Sequence, residues 1–370
     1  MSMKNPELKP LLAERLKTLM PNEKDFNSFL EILKKPTQNS IRCNTLKISP
    51  EKLKKRLENK NWIIGQPFKS YPEILVVEGK INNDNNKLRE GISTIKNNIS
   101  KQAEGEQFHE AKFNINNREK LGTERNVIDL EPGELGRSLE HLLGYYYVQE
   151  IASMLPALCL QPKPKETILD LAAAPGSKTT QIAASMENTG LLIANDVNLG
   201  RIRILATNIE RCGVSNIIVT RKQGFDLCRK LKQQGFQFDK ILLDAPCSGE
   251  GTLRSSRGTY EMWNIQSVKN LSNIQKSLLA SCIDLLKPKG EIVYSTCTHS
   301  PEENEEVIDF ILKKFDNVKV ETINLPLKCR QGLTKWDGKD YDKSVEKSCR
   351  IYPQDNDTEG FFVAKLKRMK

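Results

Sequence analysis

The chain has 370 residues and a formal net charge of +10, which leaves room for two domains and gives an excess of positive charge. No apolar run is long enough to cross a bilayer, and the opening stretch, MSMKNPELKP, lacks the apolar segment of a secretory signal. The nine cysteines include no CxxC pair and the three histidines allow no zinc-type spacing, so we expect reduced thiols, no metal site and a cytoplasmic location.

The positive charge is concentrated at the N-terminal end. Residues 1–60 hold 14 Lys and Arg against 7 Asp and Glu, whereas residues 61–150 hold 11 against 14. A basic first module suits a polyanionic partner, and nucleic acid is the first candidate. Lysine-rich helices that are simply solvated would give the same composition.

The first part of the chain alternates helical and strand patterns. Leucines three and four apart predict a helical segment over residues 1–35, and IRCNTLKI at 41–48 is typical of a strand. A Ser-Pro start predicts a helix over residues 49–60, and EILVVEG at 73–79 indicates another strand. These elements predict a small α/β module over residues 1–135.

Two segments of opposite character follow. Residues 80–125 are rich in Asn, Lys and Glu and poor in large apolar residues, which indicates an insertion or a mobile surface segment. The apolar periodicity returns in LLGYYYVQEIASMLPALCL, residues 142–160, and predicts a helix. This helix leads into a second domain that we place at residues 136–370.

The second domain alternates strands and helices. Apolar strands are predicted at residues 166–174, 190–197, 216–226, 238–247 and 291–298, with a long helix at 264–287. Two further strands, 318–325 and 360–368, are predicted to close the sheet as an antiparallel edge. Near-continuous apolar strands with helical crossovers imply an α/β fold with a mostly parallel sheet that is covered on both faces.

Ligands of such sheets bind outside the carboxyl ends of the strands, and the first strand end reads DLAAAPGSKTTQ. This stretch supplies small residues and a helix N-terminus, without the glycine pattern of dinucleotide sites or P-loops. Asp196 at the second strand end can hold ribose hydroxyls, and Asp226 at the third can accept from an adenine amino group. A site that suits adenosine but lacks a glycine-rich loop for a triphosphate indicates S-adenosylmethionine. Any one of these acids could instead cap a helix, but three in order favour a ligand.

Two cysteines follow predicted strands and are surrounded by turn-forming residues. Cys247 lies in DAPCSGEG and Cys297 in YSTCT. A thiolate is a strong nucleophile, and a nearby lysine or helix N-terminus lowers its pKa, so both are candidates for covalent chemistry. Four other cysteines are expected to be small core residues: Cys159, Cys212, Cys228 and Cys282.

The motifs DLAAAPGSKTTQ, DAPCSGEG and YSTCT, in this order and at this spacing, resemble the Fmu/Sun-type (RsmB/Nop family) RNA cytosine-5 methyltransferases. The resemblance runs from IRCNTLK to RIYPQDNDTEGFFVAKL, except for residues 80–125, and is closest to the archaeal tRNA branch. It implies a Rossmann-like methyltransferase sheet that uses S-adenosylmethionine, preceded by an RNA-binding module. The paired cysteines are specific to this family, because DNA cytosine-5 methyltransferases use a single PC motif.

The resemblance also implies a division of labour. Cys297 would attack C6 of cytosine, and Cys247 would help to expel the enzyme after methyl transfer. Asp244 would hold the N3/N4 edge of the base, while Lys178 would favour the thiolate and orient the base. Residues 147–150 match the segment that leads to the cofactor site. The implied cofactor contacts are Ala172, Ala173, Ala174, Pro175, Gly176, Lys178, Asp196, Arg201, Asp226 and Asp244.

The chain departs from the family at Gln354, where a histidine is usual after the proline, and this departure concerns substrate contacts rather than the reaction. We expect a monomer that methylates RNA, with tRNA favoured and ribosomal RNA as the alternative. A non-catalytic RNA-binding scaffold would not need both cysteines together with Asp244 and Lys178. An amino-group methyltransferase would normally carry a D/N-P-P-Y-type turn where this chain has DAPC.

Overall fold

The computed structural model describes residues 8–82 and 127–370, and these residues form a five-stranded sheet, a nine-stranded sheet and a two-stranded hairpin with their surrounding helices. The predicted insertion at residues 80–125 lies outside the described residues except for 80–82. Within the described ranges, no helix combines the length and the apolar character that crossing a membrane requires.

The N-terminal helical segment consists of two helices, α1 (Pro10–Leu19) and α2 (Glu23–Leu33). The break falls at Pro21, which cannot continue a helix, and at Asn22, whose side chain caps α2 by accepting the Asp25 N–H. The buried faces of both helices pack against Trp263 and Tyr352 from the C-terminal part of the chain. The two helices are therefore part of the second half of the molecule in space.

The smaller sheet is antiparallel, with strand order β2-β3-β1-β5 and β4 paired with β3. Its elements in chain order are β1 (Ser40–Cys43), α3 (Pro50–Glu58), β2 (Trp62–Gly65), β3 (Ile74–Ile81), β4 (Val127–Ile128), α4 (Glu134–Arg137), α5 (Leu139–Leu142) and β5 (Tyr146–Val148). Helix α3 covers one face of this sheet with Leu53 and Leu57.

The segment at residues 142–160, predicted as one helix, is divided into β5 and α6 (Ile151–Leu160). Gly144, with φ 71°, ends the preceding helix, and the Glu150 side chain starts α6 by accepting the Ser153 N–H. Because β5 pairs with β1, the smaller sheet continues past the predicted boundary between residues 135 and 136.

The larger sheet has the strand order β12-β15-β16-β10-β9-β6-β7-β8, with β11 paired with β16. Its elements are β6 (Thr167–Asp170), α7 (Ser177–Ser185), β7 (Leu191–Asn195), α8 (Leu199–Cys212), β8 (Ile217–Thr220), α9 (Gly224–Gln233), β9 (Phe238–Asp244), α10 (Arg257–Met262), α11 (Ile265–Ile283), β10 (Leu286–Thr296), α12 (Glu305–Lys314), β11 (Val318–Glu321), β12 (Arg330–Gln331), β13 (Lys335–Trp336), β14 (Lys339–Asp340), β15 (Cys349–Ile351), α13 (Pro353–Asn356) and β16 (Phe361–Arg368). Strands β13 and β14 form a separate hairpin.

The five strands from β10 to β8 are parallel, and apolar clusters cover them on both faces, as the near-continuous apolar runs predicted. The predicted antiparallel strands are confirmed in β11 and β16. However, β16 is not itself at the edge, because β11 and β15 pair along its outer side.

The prediction that all thiols are reduced is wrong for one pair, since Cys329 and Cys349 form a disulfide. Pairing of β12 with β15 places the two Cα atoms 5.2 Å apart, within the range that a disulfide spans. Sequence spacing alone gave no sign of this contact. The remaining seven cysteines, including Cys247 and Cys297, are free.

Candidate active site

The carboxyl ends of β6, β7, β9 and β10 meet at one edge of the larger sheet, and most of the predicted site residues lie there. The turn from β6 into α7 contains Gly176, whose φ of 109° favours glycine. A Cβ at this position would also come within 3.0 Å of Leu205. The small residues of DLAAAPGSKTTQ therefore let the backbone turn sharply at the end of the first strand.

Arg201 contacts two other predicted cofactor residues, Asp196 and Ala174. Asp196, buried at the end of β7, lies 3.1 Å from Arg201 through Oδ2 and Nη1, and Arg201 also donates to the carbonyl oxygen of Ala174. The other Asp196 oxygen accepts the Asn198 N–H at 2.9 Å. The ends of the first two strands are thus joined through Arg201.

Sequence reasoning did not single out Asp170, the first residue of the same motif. Burial raises the pKa of Asp170 to about 7. Its Oδ2 accepts from the Thr179 hydroxyl at 2.7 Å, while Oδ1 is buried with no partner among the described residues. Its position at the start of the motif is the feature by which the sequence could have identified it. A buried oxygen without a partner, next to a ligand site, is a candidate for a polar contact with the ligand.

Asp226 lies apart from this group. Strand β8 ends at Thr220, and Asp226 is in the first turn of α9, with its side chain 45% exposed and paired with Arg229 at 2.9 Å. The predicted third strand was too long, because its polar second half forms the loop and the start of the helix. The predicted adenine contact of Asp226 stays a prediction.

Lys178 and Asp244 form an ion pair beside the cysteines. The Lys178 Nζ lies 2.8 Å from Asp244 Oδ2, donates to Ser153 Oγ at 3.0 Å and sits 5.3 Å from the ring centroid of Phe361. The second Asp244 oxygen accepts from the Ser295 hydroxyl at 2.7 Å. Both charged groups are therefore held in one orientation at the end of β9.

The two sulfur atoms of Cys247 and Cys297 are 3.0 Å apart. The Cys297 backbone N–H also points at the Cys247 sulfur, at 3.3 Å. The hydrogen bond with Cys297, with burial as the second cause, raises the pKa of Cys247 well above its usual range. Cys247 therefore keeps its proton at pH values where an ordinary cysteine begins to lose it.

The segment at residues 147–150 joins the two sheets next to the site. Arg42 of β1 is buried and donates to the Gln149 side chain at 2.9 Å and to the Thr180 hydroxyl of α7 at 2.8 Å. Glu150 accepts the backbone N–H of Glu359 at 3.1 Å, and burial raises its pKa to about 7. The strand IRCNTLK thus supports the helix that carries Lys178.

Gln354, where a histidine is usual in the family that the motifs resemble, lies on α13. Its side-chain amide donates to Met20 Sδ and to Asp25 Oδ1, both at 3.3 Å, and so contacts the N-terminal helices. Asp25 is also held by both terminal nitrogens of Arg330, at 2.6 and 2.7 Å.

Across residues 8–82 and 127–370, no group of three or more His, Cys, Asp or Glu side chains is placed to bind a metal ion.

The parallel sheet, the acids at its first two strand ends and the paired cysteines define a methyltransferase of the Rossmann-like class. The family described as 16S rRNA methyltransferase RsmB/F matches residues 157–367. The tRNA (cytosine(49)-C(5))-methyltransferase of Pyrococcus abyssi is 38% identical over 344 residues, which covers 93% of this chain and 92% of that protein. The ribosomal RNA small subunit methyltransferase F of Psychromonas ingrahamii is 35% identical over 96% of this chain, but this chain spans only 62% of its length.

Solved structures agree over nearly the whole chain. The structure of a methyltransferase homolog protein from Pyrococcus horikoshii has a TM-score of 0.70 and 29% identity, covering 98% of this chain and 100% of that one. The structure of NSun6 from Pyrococcus horikoshii with SFG has a TM-score of 0.74 and 27% identity, covering 98% of each chain. The chain belongs to the RsmB/F methyltransferase family. This membership confirms the resemblance drawn from the motifs, together with the predicted enzyme class and cofactor.

Proposed function

We propose that the protein methylates C5 of a cytosine in tRNA, with S-adenosylmethionine as methyl donor and a covalent cysteine–RNA intermediate. The observation that carries the chemistry is the pair of sulfurs 3.0 Å apart beside the Lys178–Asp244 ion pair. The tRNA preference is supported by the Pyrococcus abyssi relative, which this chain matches over 92% of its length. Ribosomal RNA is the second candidate, supported by the small subunit methyltransferase F relatives.

The residues around the first two strand ends fit the cofactor. Its ribose hydroxyls would be held by Asp196, and the turn at Pro175 and Gly176 lets backbone approach a ligand closely. The unpartnered oxygen of Asp170 is available to a polar group. When bound, S-adenosylmethionine supplies a methyl group on a positively charged sulfur. Asp226 is the least supported member of the predicted set, because its carboxylate is paired with Arg229 and partly exposed.

The nucleophile is assigned to Cys297. The hydrogen bond between the two sulfurs raises the pKa of Cys247, so we assign the donor role in this contact to the Cys247 thiol and the nucleophile role to the sulfur of Cys297. The thiolate adds to C6 of cytosine, and the electron pair of the C5–C6 double bond moves into the ring. Asp244 holds the N3/N4 edge toward which that charge moves. Lys178 keeps Asp244 oriented, and its positive charge offsets the negative charge that develops on the ring. C5 thereby becomes the nucleophile that accepts the methyl group.

Release of the product needs a base for the C5 proton. Once Cys297 is a thioether, the hydrogen bond that most raised the pKa of Cys247 no longer joins a thiol to a thiolate. Cys247 can then release its proton to solvent and take the C5 proton as a thiolate. The C5–H electron pair re-forms the C5–C6 double bond, and the bond between C6 and the Cys297 sulfur breaks, returning its electron pair to Cys297. The two sulfurs end in the state from which they began.

Bisulfite sequencing of total RNA from cells with and without the protein tests this function. We expect one or a few cytosines in tRNA to lose protection from conversion when the protein is absent. Loss at ribosomal RNA positions alone would favour the second candidate, and no change at any cytosine would reject both.

Two further proposals are a monomeric enzyme and a cytoplasmic site of action. Light scattering of the purified protein and cell fractionation test them.

A further inference from the structure

Two buried carboxylates link the loops that carry the cysteines. We name residues 244–252 the PC loop and residues 295–304 the TC loop. Glu250 belongs to the PC loop and Glu303 to the TC loop, and each accepts hydrogen bonds from the opposite loop. Both are almost fully buried, where an acidic residue is rare unless it has a bonding role.

Glu250 is held by three donors. Its Oε1 accepts from the Ser300 hydroxyl at 2.6 Å and from the Trp263 indole N–H at 2.7 Å, and its Oε2 accepts the His299 backbone N–H at 3.2 Å. The next residue, Gly251, donates its N–H to the Cys297 carbonyl at 2.8 Å. A side chain at Gly251 would place its Cβ 2.1 Å from the Gly360 carbonyl oxygen, so the backbones touch here.

Glu303 makes the reverse connection. Its Oε2 accepts the Ser248 backbone N–H at 3.0 Å and the Gln275 amide at 2.8 Å, and the same amide also donates to the Pro246 carbonyl at 2.8 Å. Its Oε1 is buried without a partner among the described residues. Glu303 therefore fixes the backbone on both sides of Cys247.

We propose that Glu250 and Glu303 are positioning residues that hold the PC loop and the TC loop so that the two catalytic sulfurs stay in contact. This inference rests on the proposed roles of Cys247 and Cys297. We assign neither acid a contact with the base or the cofactor. Their contribution is to fix the separation of two sulfurs that belong to loops following different strands.

The two acids respond differently to the same substitution. Glu250 receives donors on both oxygens, so in Glu250→Gln the amide N–H₂ must face at least one N–H or O–H donor, and one bond is lost. Glu303 receives both donors on Oε2, so in Glu303→Gln the amide oxygen can take that position and the N–H₂ can take the unpartnered one. Glu303→Ala removes both bonds.

The test is oxidative crosslinking of Cys247 to Cys297 by diamide, which needs neither RNA nor S-adenosylmethionine. The linked peptides are quantified by mass spectrometry in the full-length protein. We expect Glu250→Gln and Glu303→Ala to crosslink about tenfold more slowly than wild type, since each loses at least one of the hydrogen bonds that hold the two loops. Glu303→Gln should crosslink at close to the wild-type rate. In the methylation assay, Glu250→Gln should lower kcat and leave KM for S-adenosylmethionine unchanged.

The matched control is Glu302→Gln, an acid of the same TC loop whose carboxylate contacts Arg15 and Trp336 rather than the PC loop. A loss of crosslinking in this control equal to that of Glu250→Gln would overturn the proposal, as would a wild-type rate in folded Glu250→Gln. If Glu250→Gln fails to fold, Ser300→Ala is the second variant, because it removes one donor from Glu250 without a change of charge. This variant should crosslink severalfold more slowly than wild type, and a wild-type rate would also overturn the proposal. Methylation by Cys297→Ala would instead reject the cysteine roles, and the crosslinking result is independent of it.

Discussion

The two cysteines have different proposed roles, and single substitutions of each one distinguish these roles. Cys297→Ala removes the attacking sulfur, so we expect no methylation and no covalent RNA adduct. Cys247→Ala keeps the nucleophile but removes the group proposed to take the C5 proton, so a covalent protein–RNA complex should accumulate. A denaturing gel that resolves protein–RNA adducts, run with S-adenosylmethionine present, checks both variants. Adducts with Cys297→Ala and none with Cys247→Ala would reverse the assignment.

The titration of Glu303 predicts how stability changes with pH. Burial raises the pKa of Glu303 from 4.5 to about 7, so the folded state binds this proton more tightly than the unfolded state. The resulting stabilisation is complete below pH 4.5 and is lost as pH rises through 7. Glu303→Gln has no such proton to lose and should be more stable than wild type at pH 8 by roughly 2 kcal/mol, with no such gain at pH 5.

Denaturant unfolding of wild type and Glu303→Gln at several pH values checks this prediction. The two curves of unfolding free energy against pH should diverge between pH 5 and pH 8. Parallel curves would show that Glu303 has the same pKa in the folded and unfolded states, and that burial does not govern its titration.

At the scale of elements, much of the larger sheet could be predicted because its signals are local. Apolar runs of strand length with intervening amphipathic segments gave the parallel strands, and the rim motifs placed Lys178, Asp244 and the cysteines together. Predictions failed where a contact between distant parts of the chain determines the local structure. Tyr146–Val148 forms a strand because β1 is available to pair with it, and Cys329 reaches Cys349 only after β12 and β15 pair.

Glu250 and Glu303 illustrate the same limit in the candidate site. In the sequence they are ordinary acids within polar stretches, where an exposed position is the default expectation. Only the folded chain shows that each is buried and bonded to the opposite loop. Arg42 is similar, since its contact with Gln149 and Thr180 depends on how two sheets pack.

The packing of α1 and α2 predicts that the N-terminal helices support the catalytic loops. Phe29 of α2 is fully buried, and its ring packs edge-on against His299 of the TC loop at 5.8 Å between centroids. Phe29→Ala should lower the free energy of unfolding by about 3 to 5 kcal/mol, because it leaves a large cavity. It should also lower kcat in the folded fraction, since His299 loses a neighbour.

Urea unfolding and steady-state methylation kinetics measure the two effects of Phe29→Ala. Leu11→Ala is the matched control, because Leu11 of α1 is 46% exposed, and it should change both by little. Equal losses in the two variants would contradict the supporting role. Because of this packing, a deletion of residues 1–60 would not isolate RNA binding. This deletion removes Phe29, Ile41 and Arg42 from buried positions, so it should impair both halves of the protein rather than RNA binding alone.

The positive charge of the whole molecule suggests a test of RNA binding that changes exposed lysines and no buried residue. The net charge is +10, and α3 presents Lys52 and Lys55 on an exposed face while Leu53 and Leu57 point into the smaller sheet. Phosphate contacts release counterions, so each one lost should reduce the slope of log affinity against log salt by about 0.7 to 0.9. The double charge reversal Lys52→Glu, Lys55→Glu should therefore weaken tRNA binding and flatten its salt dependence, while S-adenosylmethionine binding is unchanged.

Fluorescence anisotropy with labelled tRNA at several salt concentrations gives the slope, and calorimetry gives the cofactor affinity. The matched control is Lys319→Glu on β11 of the larger sheet, an exposed lysine outside the smaller sheet, which should leave the slope near wild type. An unchanged slope in the α3 variant would mean that the basic face of α3 is only solvated. In that case the phosphate contacts would have to come from other lysines and arginines of the chain.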